Sequence, residues 1–242
     1  MTNNESSKDF RPVSLNIGEN NKIPGGMVLN INITEIGDNN IFSPFCSIGQ
    51  PAEHRDFYNK DSKHFGKFAK VKIGNNNIIR EGVTIHAGIF EDTEIGNDCF
   101  FMRYSHIAHG CKIGNNVTLA PAVLLMGECR IMDNTTIGGG AAVHQHTTIG
   151  ECCMVGMNAI ITKDIPPFLK VINANQILGL NEVGMQRNGF KHKDIDSLKE
   201  HYRQYKYELE DTDGLNKRII AALESFYKTH NPSRKMAKVN IW

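Results

Sequence analysis

The sequence lacks a surplus of charge of either sign: 27 Lys and Arg stand against 26 Asp and Glu, a net charge of +1. That balance argues against a general nucleic-acid binder. No stretch approaches the roughly 18–20 apolar residues a membrane helix requires, so no transmembrane segment is expected. The opening stretch, MTNNESSKDFRP, is polar and carries no secretory core, so a cytoplasmic chain is expected. Six cysteines (Cys46, Cys99, Cys111, Cys129, Cys152 and Cys153) form no CxxC pair. In a cytoplasmic chain of 242 residues they read as buried thiols rather than disulfides or a zinc knot. Tryptophan occurs once. What abounds is glycine (22 residues) and asparagine, a composition suited to many tight turns. The length fits one domain, or one large core with a small appendage.

A beat of six residues organises most of the chain. From Ile95, every sixth residue is large and apolar: Phe101, Ile107, Ile113, Leu119, Leu125, Ile131, Ile137, Val143, Ile149, Val155 and Ile161. Four places on from each, small or β-branched residues recur, among them Cys99, Ser105, Cys111, Val117, Cys129, Ala141 and Cys153. Shorter runs upstream keep the rhythm: Ile17, Ile23 and Leu29; Ile36, Phe42 and Ile48; Ile73, Ile79 and Ile85. Glycine often follows the apolar residue, as at Gly37, Gly74, Gly96, Gly114, Gly138 and Gly150, with asparagine close by. Both tolerate positive φ, so they are read as sharp corners between short strands. An amphipathic helix needs a period near 3.6 and a strand a period of 2. A period of six fits a solenoid of very short strands, three units to a triangular coil of eighteen residues, with coils stacked about 4.8 Å apart.

Two interruptions break the beat, a polar stretch over 50–70 that must loop outward and a shorter one over 86–94. The rhythm ends at Lys163-Asp164-Ile165-Pro166-Pro167, where the double proline stops it. An irregular link (168–190) and two amphipathic helices follow. Ile195, Leu198, Tyr202, Tyr205 and Leu209 share one face of 193–210, and Leu215, Ile219, Leu223 and Phe226 one face of 214–229. These helices are expected to cap the open end of the prism, which would otherwise bare strand edges. The pattern divides the chain into a β-helix domain over 11–167, with a projecting loop at 50–70, and a C-terminal link and helical domain over 168–242.

The chemistry-bearing residues are histidines, ten in all, with His106 and His109 close together and His144 and His146 further on. Residues eighteen apart lie one above another, so His109 and Gln145 share a wall two coils apart. A histidine near its free pKa of about 6.5 can take a proton from an alcohol or amine, which makes His109 a candidate general base. A metal site from His106, His109 and His144 lacks a carboxylate or thiolate partner. Cys111 sits two residues from His109 but falls in the small inward column and reads as structural. Arg187 has the fork geometry that suits phosphate.

Several of these residues occur in a recognisable order. Ile78-Ile79-Arg80-Glu81-Gly82-Val83-Thr84-Ile85-His86, His106-Ile107-Ala108-His109, Gly138-Gly139-Gly140-Ala141-Ala142-Val143-His144-Gln145, Lys163-Asp164-Ile165-Pro166-Pro167 and Arg187-Asn188-Gly189-Phe190 run in sequence. Over about residues 30–230 the chain resembles the acyl-carrier-protein–UDP-N-acetylglucosamine O-acyltransferases of lipid A (lipopolysaccharide) synthesis. The resemblance implies a left-handed parallel β-helix with a helical C-terminal cap, and a homotrimer with active sites between subunits. It places the general base at His109, active-site contacts at His106, Gly139, His144 and Gln145, and nucleotide contacts at Asn181 and Arg187. It implies no metal and no cofactor beyond the thioester co-substrate, carried by acyl carrier protein or coenzyme A. Departures are Glu128, where the family has a further histidine, Asn188 for an arginine, a first projecting loop without the family's Asp-x-Lys, and shortened N-terminal coils. Met157 stands where members that accept long chains have glycine, which implies an acyl group of acetyl to about ten carbons.

The expected activity is transfer of a short to medium acyl group from acyl carrier protein to a UDP-N-acetylglucosamine-type sugar, with backbone N–H groups near Gly139 holding the oxyanion. N-acylation of an amino-sugar nucleotide is the rival within the class. A metal enzyme resembling the γ-class carbonic anhydrases, and a purely structural solenoid, are the readings outside it.

Overall fold

The computed structural model describes residues 16–66, 68–205 and 209–238. The opening polar stretch, and residues 11–15 of the expected first domain, lie outside them. The six-residue beat appears as strands, many only two residues long, each closing on the large apolar residue: Thr118–Leu119, Leu124–Leu125 and Arg130–Ile131 are three in succession. Each pairs in parallel with the strand eighteen residues on, Thr118 with Thr136 and Leu124 with Ala142. Among the described residues the strands make three sheets of seven, six and eight strands. The first wall holds Ser47–Gln50, Thr84–His86, His106–Ile107, Leu124–Leu125 and Ala142–Val143. The second holds Thr93–Ile95, Lys112–Ile113, Arg130–Ile131 and Thr148–Ile149, and the third Phe100–Phe101, Thr118–Leu119, Thr136–Ile137 and Met154–Val155. The fold is the expected left-handed parallel β-helix. The apolar column from Ile95 to Ile161 is buried throughout, as are the small residues between. All six cysteines are free and buried.

The glycines following the apolar residues do a different job from the one expected. None of Gly37, Gly74, Gly96, Gly114, Gly138 or Gly150 has positive φ. A Cβ on Gly96 would stand 2.6 Å from the Gly114 carbonyl oxygen, and one on Gly138 would stand 2.6 Å from the Met157 nitrogen. These positions need glycine because the next coil passes too close for any side chain. The left-handed residue comes three places after the apolar one, at Asn39, Asn76, Asp98, Tyr104, Gly110, Asn116, Ala122, Glu128, Asn134, Gly140, His146, Cys152 and Asn158. Asparagines at one corner also hydrogen-bond from coil to coil, Asn116 to Asn134 and Asn97 to Asn115.

Residues 51–70 leave the prism after Gln50 and contain helix α1 (Arg55–Tyr58). Beyond Pro167 the chain is not an irregular link. Leu169–Ile172 continues the third wall in parallel with Met154–Val155, and Gln176–Leu180 turns back against it. Leu169 and Val171 are buried and Lys170 is exposed, a period of two that a six-residue count passes over. Three helices follow, α2 (Glu182–Arg187), α3 (His192–Tyr205) and α4 (Lys217–Thr229). Helix α3 stops short of the expected residue 210. Leu209 lies outside it and is partly exposed, and Asp211, Asp213 and Gly214 just beyond favour a turn. Ile195, Leu198, Tyr202, Ile219 and Leu223 join the prism core, and the Tyr202 hydroxyl donates to the Pro167 carbonyl at 2.9 Å. No described helix is long and apolar enough to cross a membrane.

Replacing Gly96 with alanine should therefore cost about 1–3 kcal/mol. Gly25→Ala, where a Cβ meets nothing within 4 Å, should cost far less. Urea unfolding of the two variants checks the difference.

Candidate active site

Both breaks in the repeat open at one edge of the prism, the corner that follows the first wall. His109, Gly127 and Gln145 stack there, as the register of His106 on Leu124 and Leu124 on Ala142 requires. Gly127 makes room for the imidazole: a Cβ on it would stand 2.6 Å from the His109 ring. On the other side the His54 ring meets His109 edge-on, centroids 5.5 Å apart. His54 comes from the projecting segment, which packs back on the prism through a small core of Ala52, Phe57 and Ile89. Its Nδ1 accepts from the Asp56 N–H and starts α1.

His109 is half-buried, and its Nδ1 is enclosed without a hydrogen-bond partner. Burial holds its pKa below the usual histidine value, with the Glu128 carboxylate pulling the other way and His54 and His146 adding to the depression. Burial thus favours the neutral ring, the form that can take a proton. Gly110, Glu128 and His146 occupy the adjoining left-handed positions. The Glu128 carboxylate pairs with His146 Nδ1 at 3.0 Å, and the Glu128 N–H donates to the His109 carbonyl.

On the first wall, His106 is fixed by a 2.6 Å hydrogen bond between its Nδ1 and the Thr84 hydroxyl, its cross-strand neighbour. His86 lies edge-on to it at 5.0 Å, and burial lowers the pKa of both rings. His86 Nδ1 is enclosed and unpartnered. Glu53, from the projecting segment, brings a carboxylate to the same pair. The trio His106, His109 and His144 is not what the fold assembles. Among the described residues, the one grouping with donor atoms close enough to share an ion is Glu53, His86 and His106. Sequence reasoning missed Glu53 and His54 because they sit inside a break in the repeat, where stacking arithmetic does not apply.

Of the other expected site residues, two lie at the His109 corner and four do not. His144 and Gln145 are exposed beside the His109 corner, with His144 Nδ1 3.2 Å from the Gln145 carbonyl oxygen. Cys111 is buried, its thiol donating to the Met126 carbonyl. Gly139 and Met157 stack on the corner that precedes the first wall, since Thr136 registers on Met154. Met157 is 78% exposed. Asn181 begins α2, its Oδ1 accepting from the Gly184 N–H and its Nδ2 donating to the Cys152 carbonyl. Asn181 and Arg187 line a cleft of about 770 Å³ against the third wall, together with Met154, Lys170 and Lys199. Asn188 caps α2, its Nδ2 donating to the Gly184 carbonyl.

Residues 92–127 match the model for bacterial transferase hexapeptide repeats (six repeats), and residues 164–236 match the second domain of UDP-N-acetylglucosamine O-acyltransferase. Residues 92–127 thus carry repeats of the kind found in bacterial hexapeptide transferases. An acyl-[acyl-carrier-protein]–UDP-N-acetylglucosamine O-acyltransferase of Janthinobacterium sp. is 37% identical over 170 residues, 69% of this chain and 62% of that protein. One from Synechocystis sp. is 39% identical over 173 residues, 70% of this chain and 60% of that protein. The chain spans about three fifths of the length of the curated relatives it matches. The crystal structure of the Arabidopsis UDP-N-acetylglucosamine acyltransferase superposes with a TM-score of 0.80 at 29% identity, covering 92% of this chain and 83% of that one. The Francisella novicida enzyme gives 0.75 at 29% identity, over 90% and 84%. Over these spans the chain is similar to the UDP-N-acetylglucosamine O-acyltransferases.

The space over Gly127 is testable. Gly127→Ala should leave the coils intact yet push the His109 ring from its slot. If His109 is the base, kcat falls by at least about tenfold with an unchanged circular dichroism spectrum.

Proposed function

We propose that the chain transfers a short to medium acyl group from an acyl carrier protein thioester to a UDP-N-acetylglucosamine-type sugar in the cytoplasm. The observation that carries this reading is His109: a half-buried imidazole with an unengaged Nδ1, on the corner where both insertions leave the prism. In this reading His109 removes the proton from the sugar hydroxyl as its oxygen attacks the thioester carbonyl, and the thiol of the carrier leaves. The Glu128 carboxylate favours the imidazolium that forms. His106, His144 and Gln145 contact the sugar, and Asn181 and Arg187 the nucleotide, where Lys170 adds a second positive charge to the cleft.

Gly139 and Met157 stand across the first wall from His109. The six-residue side between them, at most about 20 Å long, sets the two on different edges of one copy. The reading therefore brings the His109 corner of one copy against the Gly139 corner of a second, which a homotrimer accomplishes. The Gly139 N–H has no partner among the described residues and is offered as the oxyanion donor. Coenzyme A is the alternative donor. Acylation of an amine instead of a hydroxyl is favoured by one observation, the carboxylate of Glu128 at the His109 corner, which would attract an ammonium.

A matrix of acyl donors against UDP-N-acetylglucosamine and its 3-amino analogue, read by mass spectrometry, tests the reading. His109→Ala should lower turnover by about 10²–10⁴-fold with the assembly intact. Normal turnover in that variant excludes the base.

Met157 is proposed to close the far end of the acyl groove. Opening it with Met157→Gly should raise activity on chains four carbons longer by about two orders of magnitude, since each buried methylene is worth about 0.8 kcal/mol. An unchanged chain-length profile refutes the role.

A further inference from the structure

We propose that Glu53, His86 and His106 form a binding site for a divalent transition-metal cation, zinc being the best fit. Their donor atoms lie within 4.8 Å of one another. Thr84 registers on His106, so the two imidazoles come from successive coils of the first wall, and Glu53 comes from the segment that leaves the wall three residues after Gln50, the residue that registers on His86. Two further observations point to a ligand. His86 is nine-tenths buried, with 9% of its surface exposed, and its Nδ1 is enclosed without any partner. His106 has its Nδ1 held at 2.6 Å by Thr84, which leaves Nε2 free in a fixed direction. A hydrogen bond on the distal nitrogen is the usual way a metal-binding histidine is oriented.

The donor chemistry selects the cation. Two imidazoles and one carboxylate suit zinc and its transition-metal neighbours, whereas magnesium and calcium prefer oxygen throughout. Burial of both rings favours their neutral form, the form that binds metal. Around a tetrahedral zinc with bonds of about 2.1 Å, ligand atoms stand roughly 3.4 Å apart. The remaining approach falls to Glu53, which is exposed and lies on the projecting segment. Three protein ligands leave the fourth position open. His109 is not among them, so the site is separate from the proposed base, although it shares His106 with the sugar contacts proposed above.

The test is binding, and it does not depend on the transferase reading. Untagged full-length protein, stripped with EDTA, is titrated with zinc chloride by calorimetry and with cobalt(II) by visible absorption. One equivalent per chain is expected, with cobalt bands of a four- or five-coordinate site. Glu53→Gln, at an exposed position, and His86→Ala should each weaken binding by at least tenfold, while His192→Ala on α3 leaves it unchanged. Circular dichroism and size-exclusion profiles establish that the variants are folded. Absence of stoichiometric binding to the wild-type protein overturns the proposal, and so does wild-type affinity in Glu53→Gln and His86→Ala together.

Discussion

Each coil of the prism must lie about 4.8 Å above the one before, because only then do its backbone groups bond to the next. At that spacing the repeat has little freedom. One residue in six must point inward to fill the column, and where glycine follows it there is no space for a side chain against the next coil. Three places on, the chain must bend through the left-handed region. Asparagine and aspartate fill many of those bends, and their side chains also tie corner to corner. Free choice of side chain remains only on the outer face and in the insertions. A wall this regular can hold His106 and His109 in fixed directions with few dedicated supports.

The regular part of the fold was legible because its constraint recurs. Twelve apolar positions from Ile95 to Ile161 share one phase, and all are buried. Glycine's place in the repeat was also legible, but its reason was not: a sequence cannot distinguish a residue needed for its φ from one needed for its missing Cβ. The strands after Pro167 were missed because they alternate in twos, and the end of α3 because Leu209 continues its apolar face in sequence alone. His109 and Gln145 were placed by eighteen-residue arithmetic. Glu53 and His54 were out of reach, since their positions depend on how the 51–70 segment folds back through Phe57 and Ile89.

The end of the prism shows how the same stack is closed. Asp164 is fully buried, and its carboxylate accepts from the Thr148 N–H at 3.0 Å, His230 Nδ1 at 2.8 Å and Arg234 Nε at 3.3 Å. A carboxylate buried with fewer donors would be costly. The C-terminal segment supplies two of the three and adds a bridge from Met236 to Asp164. The last coil thus has its polar edge satisfied by the chain that follows α4, while α3 and α4 cover its apolar interior. The cap belongs to the same core as the prism, and α2, which carries Arg187 beside the third wall, is held by it.

Those attachments give the three edges of the prism different tasks. Among the described residues insertions leave only at the edge after the first wall, and they bring His54 and Glu53 to the histidines there. The edge before that wall keeps the unbroken beat and carries the flat stack of Pro121, Gly139 and Met157, next to the cleft of Asn181 and Arg187. A coil of eighteen residues fixes the separation of these edges as firmly as it fixes the coils themselves, so no hinge within one chain can bring them together. Within the proposed reaction, chemistry and acceptor recognition on one copy meet the acyl and nucleotide determinants of another. The triangular cross-section that makes the fold stable is also what divides the site.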